Sequence, residues 1–437
     1  MPDTRPAESH FKWEKRRLED YVGIIASPCY DGPVTQPAFV PPSRLLMGPG
    51  PSNVDPRVLA AQAAPLLGHL DPAFVALMER IKELLRFTFR TRNEFTVPVS
   101  GTGSAGMEAA FVNFIRPGDR VVVGVNGVFG MRMTEVAWKL GARVERVEKA
   151  WGQVFSPDDF RASLRESARI LAVVHAETST GARQPIEGLA KLAHEAGALL
   201  LVDTVTSLGG VPVEVDAWEA DVVYSGTQKC LSVPPGLAPL TLNARAVAAM
   251  KERAALGPVF PGSPPPPSAP NSILSWYLDM MQVAKYWGAE RVYHHTAPIS
   301  ALYGLYEGLR IIEEEGLEAR WARHERNSRA LWTGLAVLGL KPHAQEGFRL
   351  PSLNAVTVPD GVDEVAVRKE LLERHDIEIG GGLGALKGRI WRVGLMGHTS
   401  RPENVLRFLE ALTGVLSSRF KVPAAREVLS AASGALD

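Results

Sequence analysis

The chain has 437 residues, 46% of them hydrophobic and 22% charged, which fits an ordinary globular protein of about two domains rather than a fibrous or disordered one. Lys and Arg together number 48, as do Asp and Glu, so the net charge is zero and gives no electrostatic case for nucleic acid or an anionic membrane. No apolar run reaches the length of a membrane span.

The elements follow in chain order. Residues 1–45 read as an N-terminal arm, polar at first and then punctuated by Pro28, Gly32, Pro33, Pro37, Pro41 and Pro42, with no apolar stretch of the secretory-leader type. Cys29 lies in this arm and Cys230 is the other cysteine. Two thiols build neither a disulfide framework nor a Cys-rich metal centre, and a reducing cytoplasm is the simple reading. The turn Met47-Gly48-Pro49-Gly50-Pro51 precedes helical periodicity through Phe89.

Strands and helices then alternate. The spacing predicts strands over Glu94–Val99, Arg120–Val125, Ile170–His175, Ala198–Val202 and from Val222. Helices are expected after Ser104 through Phe114 and over Gln184–Glu195. Apolar strands alternating with helices point to a mostly parallel sheet covered on both faces. Pro261–Pro270 holds six prolines, four consecutive, and reads as a stiff loop. Helices over Trp276–Trp287 and Ala301–Glu315 lead to a second, smaller α/β unit. It is built from Ser352–Val358, Val362–Glu373, Ile390–Val393 and Glu403–Leu416. The expected division is an arm at 1–45, a large domain at 46–300, a small C-terminal domain at 301–420 and a tail at 421–437. The closing Gly434-Ala435-Leu436-Asp437 is not a peroxisomal address.

Four features carry chemistry. Gly101-Thr102-Gly103-Ser104-Ala105-Gly106 follows a strand and opens a helix, so its free N–H groups suit a phosphate. It is also compatible with a plain tight turn. A dinucleotide site expects an acidic residue at the end of the next strand, and that strand ends in Asn126-Gly127. Asp203 closes a buried strand, as a site carboxylate or a helix cap. Lys229 lies just past a short apolar strand, in Ser225-Gly226-Thr227-Gln228-Lys229 before Pro234-Pro235-Gly236. Most lysines are solvated, but one confined in this way can lose its charge and act as an amine nucleophile. Arg392, inside Ile390-Trp391-Arg392-Val393-Gly394, needs an anion, either an internal carboxylate or a substrate's. His69, His175, His194, His294, His295 and His398 lack metal-ligand spacing, so no metal is expected.

Taken in order, these motifs resemble the fold-type I pyridoxal-phosphate transferases, and more closely the class V aminotransferases of the alanine–glyoxylate and serine–pyruvate type. The resemblance runs from Met47 to Leu416. It includes Gly48-Pro49-Gly50-Pro51, Ser100-Gly101-Thr102-Gly103, Asn126-Gly127-Val128-Phe129-Gly130, Glu177-Thr178-Ser179-Thr180-Gly181 and Val202-Asp203. It continues through the Lys229 segment, Tyr293-His294-His295-Thr296 and Arg392-Val393-Gly394-Leu395. It implies an α/β fold with a mostly parallel sheet in a large domain and a smaller C-terminal α/β domain. It implies pyridoxal 5'-phosphate joined to Lys229, with Asp203 on the ring nitrogen, Phe129 stacked on the ring and Thr178 on the phenolic oxygen. Thr102, Gly103, Ser104 and Gln228 would hold the phosphate. Arg392, with Gly50 nearby, would receive the substrate carboxylate. Tyr293 and Thr296 would reach the cofactor phosphate of a second copy, making a homodimer.

The implied reaction moves an amino group from alanine or serine to glyoxylate or pyruvate. Ureidoglycine–glyoxylate, phosphonate and pyridoxamine aminotransferases are alternatives. The first tends to carry Asn where this chain has Tyr293, although Cys230-Leu231-Ser232-Val233-Pro234 looks like its motif. A cysteine desulfurase is disfavoured because Cys230 is tied beside Lys229. A nicotinamide-dependent oxidoreductase explains the glycine motif alone.

Overall fold

The computed structural model describes residues 39–254 and 273–436. Most of the arm, with Cys29, and the proline-rich loop lie outside the described residues. Residues 39–42 are exposed and irregular, and the described residues from Ser43 onward form one compact unit.

Local signals set the first long helix, α1 (Pro72–Phe89). Asp71 accepts the Ala73 N–H at 2.8 Å and Pro72 fills the first turn, where a missing donor costs nothing. Phe74, Met78, Ile81 and Leu85 recur at helical spacing and are buried, and left-handed Arg90 ends the helix.

Seven strands form the main sheet: β1 (Phe95–Ser100), β2 (Arg120–Val125), β3 (Arg143–Glu148), β4 (Ile170–Val174), β5 (Leu199–Asp203), β6 (Val222–Tyr224) and β7 (Leu237–Leu242). Their order is β1-β7-β6-β5-β4-β2-β3, with only β7 antiparallel to its neighbours. β4 and β5 are buried along their whole lengths, as strands covered on both faces must be. Helices α2 (Gly103–Val112) and α3 (Val128–Lys139) start just past the carboxyl ends of β1 and β2. Asp203 ends β5, and the Lys229 segment leaves β6. The carboxyl edge of the sheet therefore gathers the expected chemistry, where open α/β sheets bind ligands.

Helices α4 (Ile299–Glu315) and α5 (Leu317–Val337) lead to a second sheet. Its strands β8 (Lys341–Pro342), β9 (Leu353–Thr357), β10 (Gly380–Gly381) and β11 (Ile390–Gly394) run antiparallel in the order β8-β9-β11-β10. With α6 (Glu364–His375), α7 (Pro402–Ser417) and α8 (Ala425–Gly434) it encloses its own apolar core, which includes Trp391, Phe408 and Leu412. Met47 belongs to this core, and Leu45–Leu46 pairs in parallel with Ile377–Glu378. Residues 425–434, expected within a tail, are helical here, with Val428 and Ala432 buried.

Two helices are shorter than their periodicity. The segment expected to be helical from Gln184 becomes so only at Leu189, because the Gln184 backbone N–H is given to the His175 carbonyl and Gly188, with φ +80°, stands left-handed just before the helix. The helix expected from Trp276 starts at Met280, where Asp279 accepts the Met281 N–H.

One carboxylate ties these parts together. Glu315 accepts from Arg320 at 2.6 Å and from Arg323 at 2.6 and 2.9 Å. Arg320 donates onward to the carbonyls of Gly209 and Cys230, and Arg323 to those of Gly397 and Ser400. Burial alone would raise the Glu315 carboxyl, but the hydrogen bonds and charges of Arg323 and Arg320 outweigh it and bring it down to about 2. A depressed carboxylate stabilises the fold above its unfolded value of 4.5 and loses that contribution as pH falls toward 2. Glu315→Gln is expected to cost about 3 kcal/mol at pH 7, by leaving the buried Arg320 and part-buried Arg323 guanidinium groups without their anion. Urea unfolding at pH 7 and near pH 3 checks this, and the gap from the wild-type chain narrows at the lower pH.

Candidate active site

Lys229 is 8% exposed, and its Nζ donates to the Pro49 carbonyl. Two features bend the chain toward it. Ser52 holds the lysine loop through its N–H to the Gln228 carbonyl (3.0 Å) and its hydroxyl to the Lys229 carbonyl (2.9 Å). Gly50 has φ +105°, and a Cβ there would lie 2.6 Å from Lys229 Cδ, so only glycine fits. Burial, with the Arg392 charge, lowers the Lys229 ammonium to about 8. That leaves about a tenth of it as free amine at pH 7 and about half at pH 8.

Asp203 is 2% exposed. Its Oδ1 accepts the Val205 N–H at 2.8 Å and its Oδ2 the Tyr224 hydroxyl at 2.6 Å. Burial pushes its carboxyl up to about 6, against the Tyr224 and Val205 bonds that favour the anion.

Arg392 is 6% exposed, on the central part of β11. Its Nε donates to the Gly381 carbonyl at 2.7 Å and its Nη1 to the Thr178 carbonyl at 3.4 Å. Among the described residues no carboxylate forms an ion pair with it, and burial lowers it to about 10. A buried cation held by carbonyls alone is an anion site in waiting. The sequence left open an internal carboxylate as its partner, and the described residues supply none.

The glycine-rich turn does start a helix. Gly101 has φ +144°, and a Cβ there would strike Ala105. Thr102 is the cap residue but makes no side-chain cap bond, and the Gly103 and Ser104 N–H groups have no acceptor among the described residues. The Gln228 amide oxygen is buried without a partner. It lies beside Gly226, which packs on Gly103 at the start of α2. An amide turns end for end at no cost, so it can offer its NH₂ to an anion there. These orphaned groups fit a phosphate.

Phe129 is half-buried at the start of α3, with the Arg132 guanidinium 5.0 Å from its ring centre. Thr178 is buried and its hydroxyl meets that of Thr206. The sequence reading did not single out Glu177, which is fully buried. It accepts the N–H groups of Phe129 (3.1 Å) and Ser179 (3.1 Å) and the Ser179 hydroxyl (2.6 Å), fixing the Phe129 turn. Burial pushes its carboxyl up to about 6, against the Ser179 bonds. Tyr224 was missed as well, since it reads as one more apolar strand residue.

Tyr293 and Thr296 stand apart. Both are exposed and share a 3.3 Å hydroxyl contact, and neither touches Lys229. Their segment is pinned by His295 Nε2, 2.7 Å from the Ser100 hydroxyl at the end of β1. Among the described residues no cluster of His, Cys, Asp and Glu fits a metal ion. No helix there is long and apolar enough to cross a membrane.

The family model for class V aminotransferases matches residues 58–395. The chain is 40% identical over 380 residues to the alanine–glyoxylate aminotransferase of Mus musculus, covering 86% of this chain and 88% of that one. The solved alanine–glyoxylate aminotransferase of Nostoc sp. superposes with a TM-score of 0.82 at 50% identity, over 88% of this chain and 98% of that one. The ureidoglycine–glyoxylate aminotransferase of Bacillus subtilis gives a TM-score of 0.85 at 39% identity, over 91% and 99%. Fold, sequence and the placing of Lys229 within electrostatic reach of Asp203 on the main sheet and Arg392 on the second agree: the chain is an enzyme of the class V aminotransferase family, with the fold-type I architecture.

Proposed function

We propose that the enzyme uses pyridoxal 5'-phosphate to move the amino group of a small L-amino acid, alanine or serine, to a 2-oxo acid such as glyoxylate or pyruvate. The observation that carries this is a buried lysine, its ammonium lowered to about 8, within electrostatic reach of both Asp203 and Arg392. When bound, the cofactor supplies an aldehyde for amine exchange and a protonated ring that withdraws electrons.

Each residue then has a task. The α2 start, with Thr102, Gly103, Ser104 and Gln228, grips the phosphate. Phe129 covers one ring face, and Thr178 holds the phenolic oxygen. Asp203, as the anion, keeps the ring nitrogen protonated. Arg392 orients the substrate by its α-carboxylate, and Gly50 leaves room beside it. Lys229 Nζ, as the free amine, would take the α-proton of the substrate and hold it for return.

Exposed Tyr293 and Thr296 support a homodimer in which each chain completes the phosphate site of the other. The separate core around Trp391 supports a small C-terminal domain from about Ala330, while Leu302, Leu305, Leu309 and Ile312 pack in the large core. The free, buried Cys230 thiol fits a reducing cytoplasm.

The test is a donor panel, with L-alanine, L-serine and ureidoglycine each offered against glyoxylate and pyruvate, on protein loaded with pyridoxal phosphate. Alanine or serine turning over fastest with glyoxylate or pyruvate supports this reading. Preference for ureidoglycine would reassign the donor. Failure to take up the cofactor would refute the whole reading.

A further inference from the structure

Asp203 and Tyr224 are partners across adjacent parallel strands, Asp203 ending β5 and Tyr224 ending β6. Both side chains are buried, and the Tyr224 hydroxyl donates to Asp203 Oδ2 at 2.6 Å. It makes no other hydrogen bond among the described residues. The Tyr224 backbone is also fixed, since its carbonyl accepts the Thr204 N–H and hydroxyl, each at 2.8 Å. The other carboxylate oxygen, Oδ1, is taken by the Val205 N–H. The hydroxyl therefore arrives on a rigid strand, aimed at one chosen oxygen.

Burial works against Asp203 remaining an anion, and a donated O–H works for it. Tyr224 is poorly placed to ionise in its stead. Burial, and then the Asp203 charge, raise its phenol well above the ordinary value, so it stays a donor throughout the working range.

We infer that Tyr224 is a positioning residue that acts through Asp203, keeping the carboxylate ionised and oriented for a protonated ring nitrogen. This deepens the pyridoxal-phosphate reading and rests on it. The Tyr224 hydroxyl is committed to Asp203 and acts through it. Its hydroxyl decides whether the Asp203–ring pair sits as two opposite charges or as two neutral partners. Only the charged pair draws electrons from the substrate Cα.

The experiment is a double-mutant cycle of Tyr224→Phe and Asp203→Asn. Two quantities are read: the dissociation constant of pyridoxal 5'-phosphate by equilibrium dialysis, and the rate of the single half-reaction with L-alanine. Tyr224→Phe is expected to weaken cofactor binding and slow the half-reaction, each by about tenfold, with the KM for alanine unchanged within about twofold. In the Asp203→Asn background the same substitution is expected to add almost nothing, because the anion it serves has gone. A general packing defect would add its full effect in both backgrounds, and that additivity would overturn the inference. So would a Tyr224→Phe protein that binds and reacts like the wild-type chain. Were Tyr224→Phe to fold poorly, 3-fluorotyrosine at position 224 keeps the shape and gives a stronger donor. It should leave cofactor binding as tight or tighter, and weaker binding would count against the inference. A wild-type chain that takes up no pyridoxal phosphate would instead sink the underlying reading.

Discussion

Lys229→Ala is expected to lower multiple-turnover transamination by about 10⁴-fold or more while leaving the chain folded. The side chain lies against Gly50 and donates to the Pro49 carbonyl, so its loss opens a small space and strands no charge. Cofactor uptake should continue, since the α2 N-terminus, Gln228 and Asp203 stand independently of the amine. It should become reversible by dialysis and insensitive to borohydride. In the wild-type chain, the rate at which free cofactor is captured covalently should climb with pH and level off above about 8, because only the uncharged amine attacks an aldehyde. Stopped-flow absorbance on both proteins checks these statements. Sustained turnover by the alanine variant, or a borohydride-stable adduct on another lysine, would remove Lys229 from its role.

Arg392→Ala is expected to raise the KM for amino acids by about 10²-fold, with the cofactor dissociation constant changed by less than about threefold. A paired charge and two parallel hydrogen bonds are worth about 3 kcal/mol in a buried site. Arg392 already spends Nε on Gly381 and Nη1 on Thr178, which turns the fork but leaves it without a hydrogen-bonded carboxylate among the described residues. Arg392→Lys keeps a charge and loses the planar fork, so its KM should fall between the two. Steady-state kinetics against L-alanine and a cofactor titration decide the matter. Equal KM values in the wild-type and alanine variants would move the carboxylate site elsewhere.

Much of the site was legible because its chemistry breaks local rules. A lysine just past an apolar strand, an aspartate ending a buried strand and an arginine inside a strand each conflict with the burial preference of their type. Such conflicts persist where function requires them. The glycine-rich turn was legible because a left-handed Gly101 and a helix start leave a local signature. Glu177 and Tyr224 were not legible as site residues. Glu177 matters through the Phe129 and Ser179 groups it holds, and Tyr224 through the 2.6 Å bond to Asp203, 21 positions away. Neither relation has a sequence period.

The sequence by itself determined five strands of the main sheet, β1, β2, β4, β5 and β6, and the residue types at their carboxyl ends, though not β3, β7 or α3. These follow from backbone periodicity and burial, which are properties of neighbours along the chain. Only the tertiary structure decided where the helix after Gln184 begins, because the His175 carbonyl takes the Gln184 backbone N–H and a left-handed Gly188 stands before Leu189. Only it assigned Met47 to the second core and left Arg392 without an internal carboxylate. Those outcomes depend on which distant groups compete for the same hydrogen bond or the same apolar volume, and that competition is settled when the chain packs.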